Sequence, residues 1–201
     1  MKIEQYMAYN GFGTNVYLAW DEYTNKAFLV DPGSKLDKCV QSIKDKGLDL
    51  EYIILTHGHG DHTGGLEDFR KEFPDAKVVA GRRERKMLYD RHMSMGKGGI
   101  KADIEVSDGS TLEVGTMHLE FIECPGYTPG GISVLCDKIL FAGDTLFFRS
   151  VGRTDLEGGD WDELQTSIRD KLFKLPEDTI VLPGHGEKTT IGYEQRYNPF
   201  V

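Results

Sequence analysis

Six consecutive residues, His57-Gly58-His59-Gly60-Asp61-His62, hold three of the six histidines in this 201-residue chain, together with a carboxylate. Imidazole nitrogens and carboxylate oxygens are the donors that bind zinc, and they suit iron or manganese as well. His57 and His59 stand two apart in an extended turn and should point the same way. Asp61 and His62 are adjacent, should diverge, and so serve a second ion. Gly58 and Gly60 fit a tight loop with strained backbone. A surface loop rich in histidine by chance is the bland alternative, and half of all the histidines in six positions makes it a poor one.

Two further residues join the cluster. His185 in Pro183-Gly184-His185-Gly186 and Asp144 in Gly143-Asp144-Thr145 each follow a predicted strand, where loops bear ligands. Singly they carry little, because Gly-Asp-Thr is ordinarily just a turn. With the histidines they add a bridging carboxylate, Asp144, and a ligand for the second metal, His185. His92 and His118 read as structural or exposed, and Cys124 as a small buried packing residue.

The elements that must position these groups follow from periodicity. Asn15 to Trp20 and Lys26 to Val30 read as strands around the turn Asp21–Asn25, with a stop at Asp31-Pro32-Gly33. Leu36, Cys39, Val40 and Ile43 give Lys35 to Lys46 a helical spacing. The apolar run Tyr52 to Leu55 reads as a buried strand that delivers the chain into Thr56-His57. Leu66 to Phe73 reads as helix and Lys77 to Ala80 as strand. In the second half, Thr111 to Val114, His118 to Ile122, Ile132 to Cys136 and Lys138 to Ala142 read as strands. Leu164, Ile168, Leu172 and Leu175 predict one helix behind the acidic start Asp160–Glu163. Thr179 to Leu182 reads as the final strand. No linker or repeat divides the chain, so residues 1–201 are expected to form one domain of sheets covered by helices.

A formal net charge of -9 argues against nucleic acid as the main partner. The basic run Arg82, Arg83, Arg85, Lys86 reads as a solvated helix face. No apolar stretch approaches the roughly 20 residues of a membrane span. The start MKIEQYMAYN lacks an apolar signal core, and Cys39, Cys124 and Cys136 are too dispersed and too few for a disulfide framework. A cytoplasmic protein without a membrane partner is expected, as a monomer or small homo-oligomer.

The sequence resembles the metallo-β-lactamase superfamily. The resemblance rests on His57-x-His59-x-Asp61-His62, Pro125-Gly126-Tyr127-Thr128-Pro129-Gly130, Gly143-Asp144 and Gly184-His185, and runs nearly end to end. Gly143–Phe147, Gly152-Arg153-Thr154-Asp155 and Asn198-Pro199-Phe200 are similar to short glyoxalase-II-like hydrolases. The resemblance implies an α+β fold, an αββα sandwich of two mixed sheets with helices on the outer faces. It implies two metal ions, zinc foremost, with His57 and His59 on the first, Asp61, His62 and His185 on the second, and Asp144 bridging. The family places histidine where this chain has Tyr127, as the third protein ligand of the first metal. A phenol with a free pKa of about 10 is a poor ligand until a cation lowers that value. Tyr127 is therefore either a ligand or a group that packs or hydrogen-bonds beside the metal.

Two ions sharing a carboxylate lower the pKa of a shared water toward about 7, so metal-bound hydroxide is the expected nucleophile. Asp61 and Asp144 are the candidate catalytic residues. Gly-x-Ser-x-Gly is absent. A small thioester suits the site, because its thiolate leaves with a pKa of about 8.5. Arg153 stands at the place where glyoxalase II holds the anionic end of its thioester; an ordinary surface ion pair is the alternative. Sixteen residues follow His185, too few for the helical domain that grips glutathione in glyoxalase II. The competing functions are an iron-dependent persulfide dioxygenase, using His57, Tyr127 and Asp144, and a non-catalytic metal-binding module.

Overall fold

The computed structural model describes residues 1–9 and 11–201. Its first half comprises β1 (Lys2–Ala8), β2 (Thr14–Trp20), β3 (Lys26–Val30), α1 (Asp37–Asp45), β4 (Asp49–Leu55), α2 (Gly60–Thr63), α3 (Leu66–Glu72), β5 (Lys77–Gly81), α4 (Arg85–Tyr89) and β6 (Ile104–Val106). The second half comprises β7 (Thr111–Val114), β8 (Met117–Glu123), β9 (Ile132–Cys136), β10 (Ile139–Gly143), β11 (Leu146–Phe147), β12 (Ser150–Val151), α5 (Trp161–Thr166), β13 (Ile180–Pro183), β14 (Thr189–Thr190) and α6 (Ile191–Tyr197). One sheet runs β1-β2-β3-β4-β5-β6, antiparallel up to β3 and parallel beyond it. The other runs β14-β13-β10-β9-β8-β7, with one parallel pairing, β10 with β13.

Strand alternation decides the layering, because successive side chains leave opposite faces of a sheet. Tyr17, Phe28, Ile54 and Val79 of the first sheet pack against Leu119, Phe121, Val134 and Phe141 of the second. Phe141 meets Tyr17 and Phe28 edge-on, with ring centroids 5.6 and 5.5 Å apart. The alternate residues Leu18, Leu29, Ile53 and Val78 face outward, onto Cys39 and Ile43 of α1 and Leu66 and Phe69 of α3. On the far side, Leu140 and Val181 are covered by Leu164, Ile168, Leu172 and Ile191. The result is an αββα sandwich of two mixed sheets, as the resemblance implied.

Several elements differ from the sequence reading. The segment after Asp160 is not one α-helix: α5 passes into a π-helical turn, Ser167–Lys171, and a 3-10 turn, Leu172–Lys174. Leu164, Ile168 and Leu172 still face one core, so burial follows the spacing although the hydrogen bonding changes. The strand ending at Pro183 is not the last, since β14 follows and Thr190 caps α6 by accepting from the Tyr193 amide at 3.2 Å. β1 went unpredicted because its polar and apolar residues mix along an edge strand. Arg82, Arg83, Arg85 and Lys86 are exposed, and Arg85 pairs with Glu105 at 2.6 Å. His92 and His118 are exposed, and Cys124 is buried against Ser133. Among the described residues, no helix is long and apolar enough to cross a membrane.

Candidate metal centre

The candidate ligands sit where strands end. β4 runs into Thr56 and His57, His59 precedes α2, and the first turn of α2 carries Asp61 and His62. Tyr127 lies in the loop between β8 and β9, Asp144 directly after β10, and His185 two residues beyond β13. Asp61 and His62 do not diverge, because the helical turn brings both to one point. His62 Nε2 lies 3.5 Å from Asp61 Oδ2, 3.4 Å from Asp144 Oδ1 and 3.3 Å from His185 Nε2. His185 Nε2 lies 3.2 Å from Asp61 Oδ2 and 3.5 Å from Asp144 Oδ2. The His57 ring stands 4.1 Å from that of His62 and 4.9 Å from that of His59, and Tyr127 is 5.0 Å from both His57 and His59.

The glycines serve closeness rather than strain. Neither Gly58 nor Gly60 has positive φ. A Cβ on Gly58 would meet Met87 Cγ at 2.7 Å, and one on Gly60 would meet Gly96 Cα at 2.7 Å. The ligand loop is therefore pressed against α4 and the segment that follows it.

A residue the sequence reading passed over as a turn, Asp31, fixes the tautomers. Its buried carboxylate accepts from the Thr56 amide at 2.8 Å, from Thr56 Oγ1 at 2.6 Å and from His62 Nδ1 at 2.9 Å. A carboxylate only accepts, so Nδ1 of His62 carries a hydrogen, and in the neutral ring Nε2 would present its lone pair to the cluster. Thr56 spends its hydroxyl hydrogen on Asp31, so its oxygen accepts from His57 Nδ1, 3.0 Å away. His57 Nε2 is thereby also bare. The sequence signal for Asp31 was slight, a carboxylate directly after the apolar run Ala27–Val30; the structure holds it at φ 52°. Thr14 Oγ1 donates to Asp61 Oδ2 at 3.2 Å, another contact with no sequence signal.

Buried polar atoms normally find partners. Here His57 Nε2, both ring nitrogens of His59 and Asp144 Oδ1 are buried without a hydrogen bond. Imidazole lone pairs and carboxylate oxygens left bare beside one another are the donor set that a metal takes. The residues present fit such a group. Electrostatics agree: burial, with His62 nearby, holds His57 well below the ordinary imidazole range, and burial lowers His59 too. Burial opposes the charge on His62 and His185, yet the carboxylates win. Asp144 and Asp31 hold His62 well above the usual range, and hydrogen bonds to Asp144 and Asp61 bring His185 to about 9. Asp61 and Asp144 stay well below the carboxylate range despite burial, through His185 and His62. Protons here occupy the place that dications would take against the same two carboxylates.

Residues 9–185 match the family model of the metallo-beta-lactamase superfamily. The chain belongs to that superfamily. It is 35% identical over 200 residues to the hydroxyacylglutathione hydrolase GloC of Haemophilus influenzae, covering 94% of this chain and 93% of the relative. It is 33% identical over 193 residues to the human mitochondrial persulfide dioxygenase ETHE1, covering 92% of this chain and 70% of that protein. The crystal structure of the B3 metallo-beta-lactamase BLEG-1 superposes with a TM-score of 0.91 at 34% identity, over 99% of each chain.

In this superfamily member the centre opens into a cavity of about 640 Å3. His59, Asp61, Tyr127, Asp144 and His185 line it, with Phe12, Met95, Phe147, Val151 and Leu156 as apolar walls. Arg153 joins the wall and is at the same time paired with Asp155 through two contacts of 2.7 Å, the surface ion pair that was its alternative reading. Burial, then the negative charge of Asp144, push the Tyr127 phenol upward and keep it protonated. A larger hollow beside α4, about 800 Å3, shares none of these residues.

Proposed function

We propose that this superfamily hydrolase opens small thioesters with two metal ions, zinc foremost, while iron or manganese suit the same donors. The observation that carries the reading is the set of bare, buried donors around Asp144 at the floor of an apolar-walled cavity. His57, His59 and Asp144 would hold the first ion, with Tyr127 beside them as a neutral phenol packed against the two imidazoles. Asp61, His62, Asp144 and His185 would hold the second. Two ions there would supply Lewis acidity and would lower the pKa of a nearby water toward about 7.

The chain's own residues do the rest. Asp31 and Thr56 orient two imidazoles so that Nε2 faces inward. Thr14 fixes the Asp61 carboxylate. The apolar walls keep bulk water away from the acyl group, and Arg153 offers a cation to an anionic substrate end. A departing thiolate, with a pKa of about 8.5, needs no general acid. The same reading takes residues 1–201 as one domain, working in the cytoplasm as a monomer or small homo-oligomer, with neither nucleic acid nor membrane as partner. Three free, buried cysteines suit a reducing compartment.

Similarity to a persulfide dioxygenase supports a second reading, against which Tyr127 stands in place of a histidine. Purified protein offered a panel of acyl thioesters, a β-lactam and a persulfide under oxygen-electrode recording separates the cases. Thioester turnover without oxygen uptake is expected. Oxygen consumption with persulfide would replace the hydrolase reading, and inertness toward all three would favour a non-catalytic module.

A further inference from the structure

Glu84 is the one carboxylate in the run Arg82-Arg83-Glu84-Arg85-Lys86, and it is wholly buried while its neighbours are exposed. Its Oε1 accepts from the Gly58 amide at 2.9 Å. Its Oε2 accepts from Thr128 Oγ1 at 3.0 Å and from the Gly130 amide at 2.8 Å. Gly58 stands between His57 and His59, and Thr128 directly follows Tyr127. One side chain thus ties together the two loops that line the first metal's place. Close packing makes the same connection independently. A Cβ on Gly130 would lie 2.1 Å from the Glu84 amide nitrogen, and a Cβ on Gly58 would strike Met87. Neither loop can shift without the segment that carries Glu84.

We propose that Glu84 is a positioning residue that sets the distance between the His57–His59 turn and Tyr127, and so acts on the first metal site and not the second. The inference rests on the reading of His57, His59 and Tyr127 as surrounding the first ion. The second site has its own support in Asp31, Thr14 and the ends of β10 and β13. All three partners of Glu84 donate, so the carboxylate matches them and a protonated acid would find no acceptor. Among the described residues no cation pairs with it; Arg85 is turned to Glu105. A buried charge held by neutral donors alone is costly, and burial pushes this carboxyl up to about 7. Such an expense is met where function uses the geometry.

Glu84→Gln tests this, because either orientation of the amide turns its NH2 against Gly58 or Gly130. Chelator competition on the zinc-loaded protein should show one of two sites weakened by about 10- to 100-fold and the other unchanged. In metal-free protein, proton NMR contacts between the rings of Tyr127 and His59 should weaken in Glu84→Gln and persist in Glu105→Gln, the surface control. Should Glu84→Gln fail to fold, Thr128→Val removes a single donor, and a smaller loss at the same site is expected. Equal weakening of both sites, or unchanged affinity with unchanged ring contacts, would overturn the proposal. Wild-type protein that binds no metal would sink the metal reading by itself, and the ring contacts would then decide the role of Glu84.

Discussion

Replacing Asp31 by asparagine should disarm both metal sites while leaving the fold in place. Asparagine keeps one oxygen for the Thr56 amide, now 2.8 Å from Oδ1. The NH2 group that replaces Oδ2 faces Thr56 Oγ1 and His62 Nδ1, at 2.6 and 2.9 Å. Both must turn into acceptors. His62 then carries its hydrogen on Nε2, pointing at Asp61, Asp144 and His185. The Thr56 hydroxyl turns to His57 Nδ1, 3.0 Å away, and His57 also protonates on Nε2. One amide thus reverses two ligands, one in each site. Loss of an orienting partner of this kind costs about 10- to 100-fold in affinity, roughly 1.4 to 2.7 kcal/mol per site. In the metal-free chain the charged His62 also loses the charge of Asp31, so stability should fall by more than the roughly 1 kcal/mol of one exchanged hydrogen bond, whereas Asp31→Ala additionally strands buried donors at about 1–3 kcal/mol each. Chelator competition reads the affinities, nitrogen-15 shifts of the imidazoles read the tautomers, and thermal unfolding reads the stability. Wild-type affinity with inverted tautomers would refute the reasoning, as would unchanged tautomers.

Other consequences follow from the same geometry. His185→Ala should release more metal than Tyr127→Phe, measured by elemental analysis, because His185 lies within reach of both Asp61 and Asp144 while the protonated phenol is a poor ligand. Tyr127→His adds a neutral lone pair and should raise first-site occupancy and the thioester hydrolysis rate; equal occupancy and rate would make Tyr127 a packing residue. Glu84 is raised from 4.5 to about 7, so the unfolded chain gives up its proton first. Below pH 4.5 the two states are alike; between there and about pH 7 the folded state should lose up to about 3 kcal/mol as pH rises. Denaturant titration of metal-free Glu84→Gln should show that part of the pH dependence gone.

The residues that were legible were those whose chemistry is dense. Three histidines and an aspartate in six positions leave little room for another reading, and Asp144 and His185 gain meaning from the strands they follow. The buried strands were legible for a similar reason, since apolar runs such as Tyr52 to Leu55 have few other uses. Asp31 and Glu84 were not legible, because each is a lone carboxylate whose setting looked ordinary: a turn in one case, a basic surface run in the other. What sets them apart is the partner brought from a distant segment, and no local pattern records that. Tyr127 is intermediate. Its place beside the site was implied only by the family resemblance, whereas its approach to the rings of His57 and His59, 5.0 Å from each, needed coordinates.

The central claim, that two ions held by these histidines and aspartates perform hydrolysis, is tested most directly by returning zinc to the chelated protein while thioester cleavage is followed. The account predicts no turnover in the metal-free chain, a rise with added zinc, and a plateau at two equivalents. Hydrolysis that survives complete chelation, or that reaches its plateau at one equivalent, would contradict it.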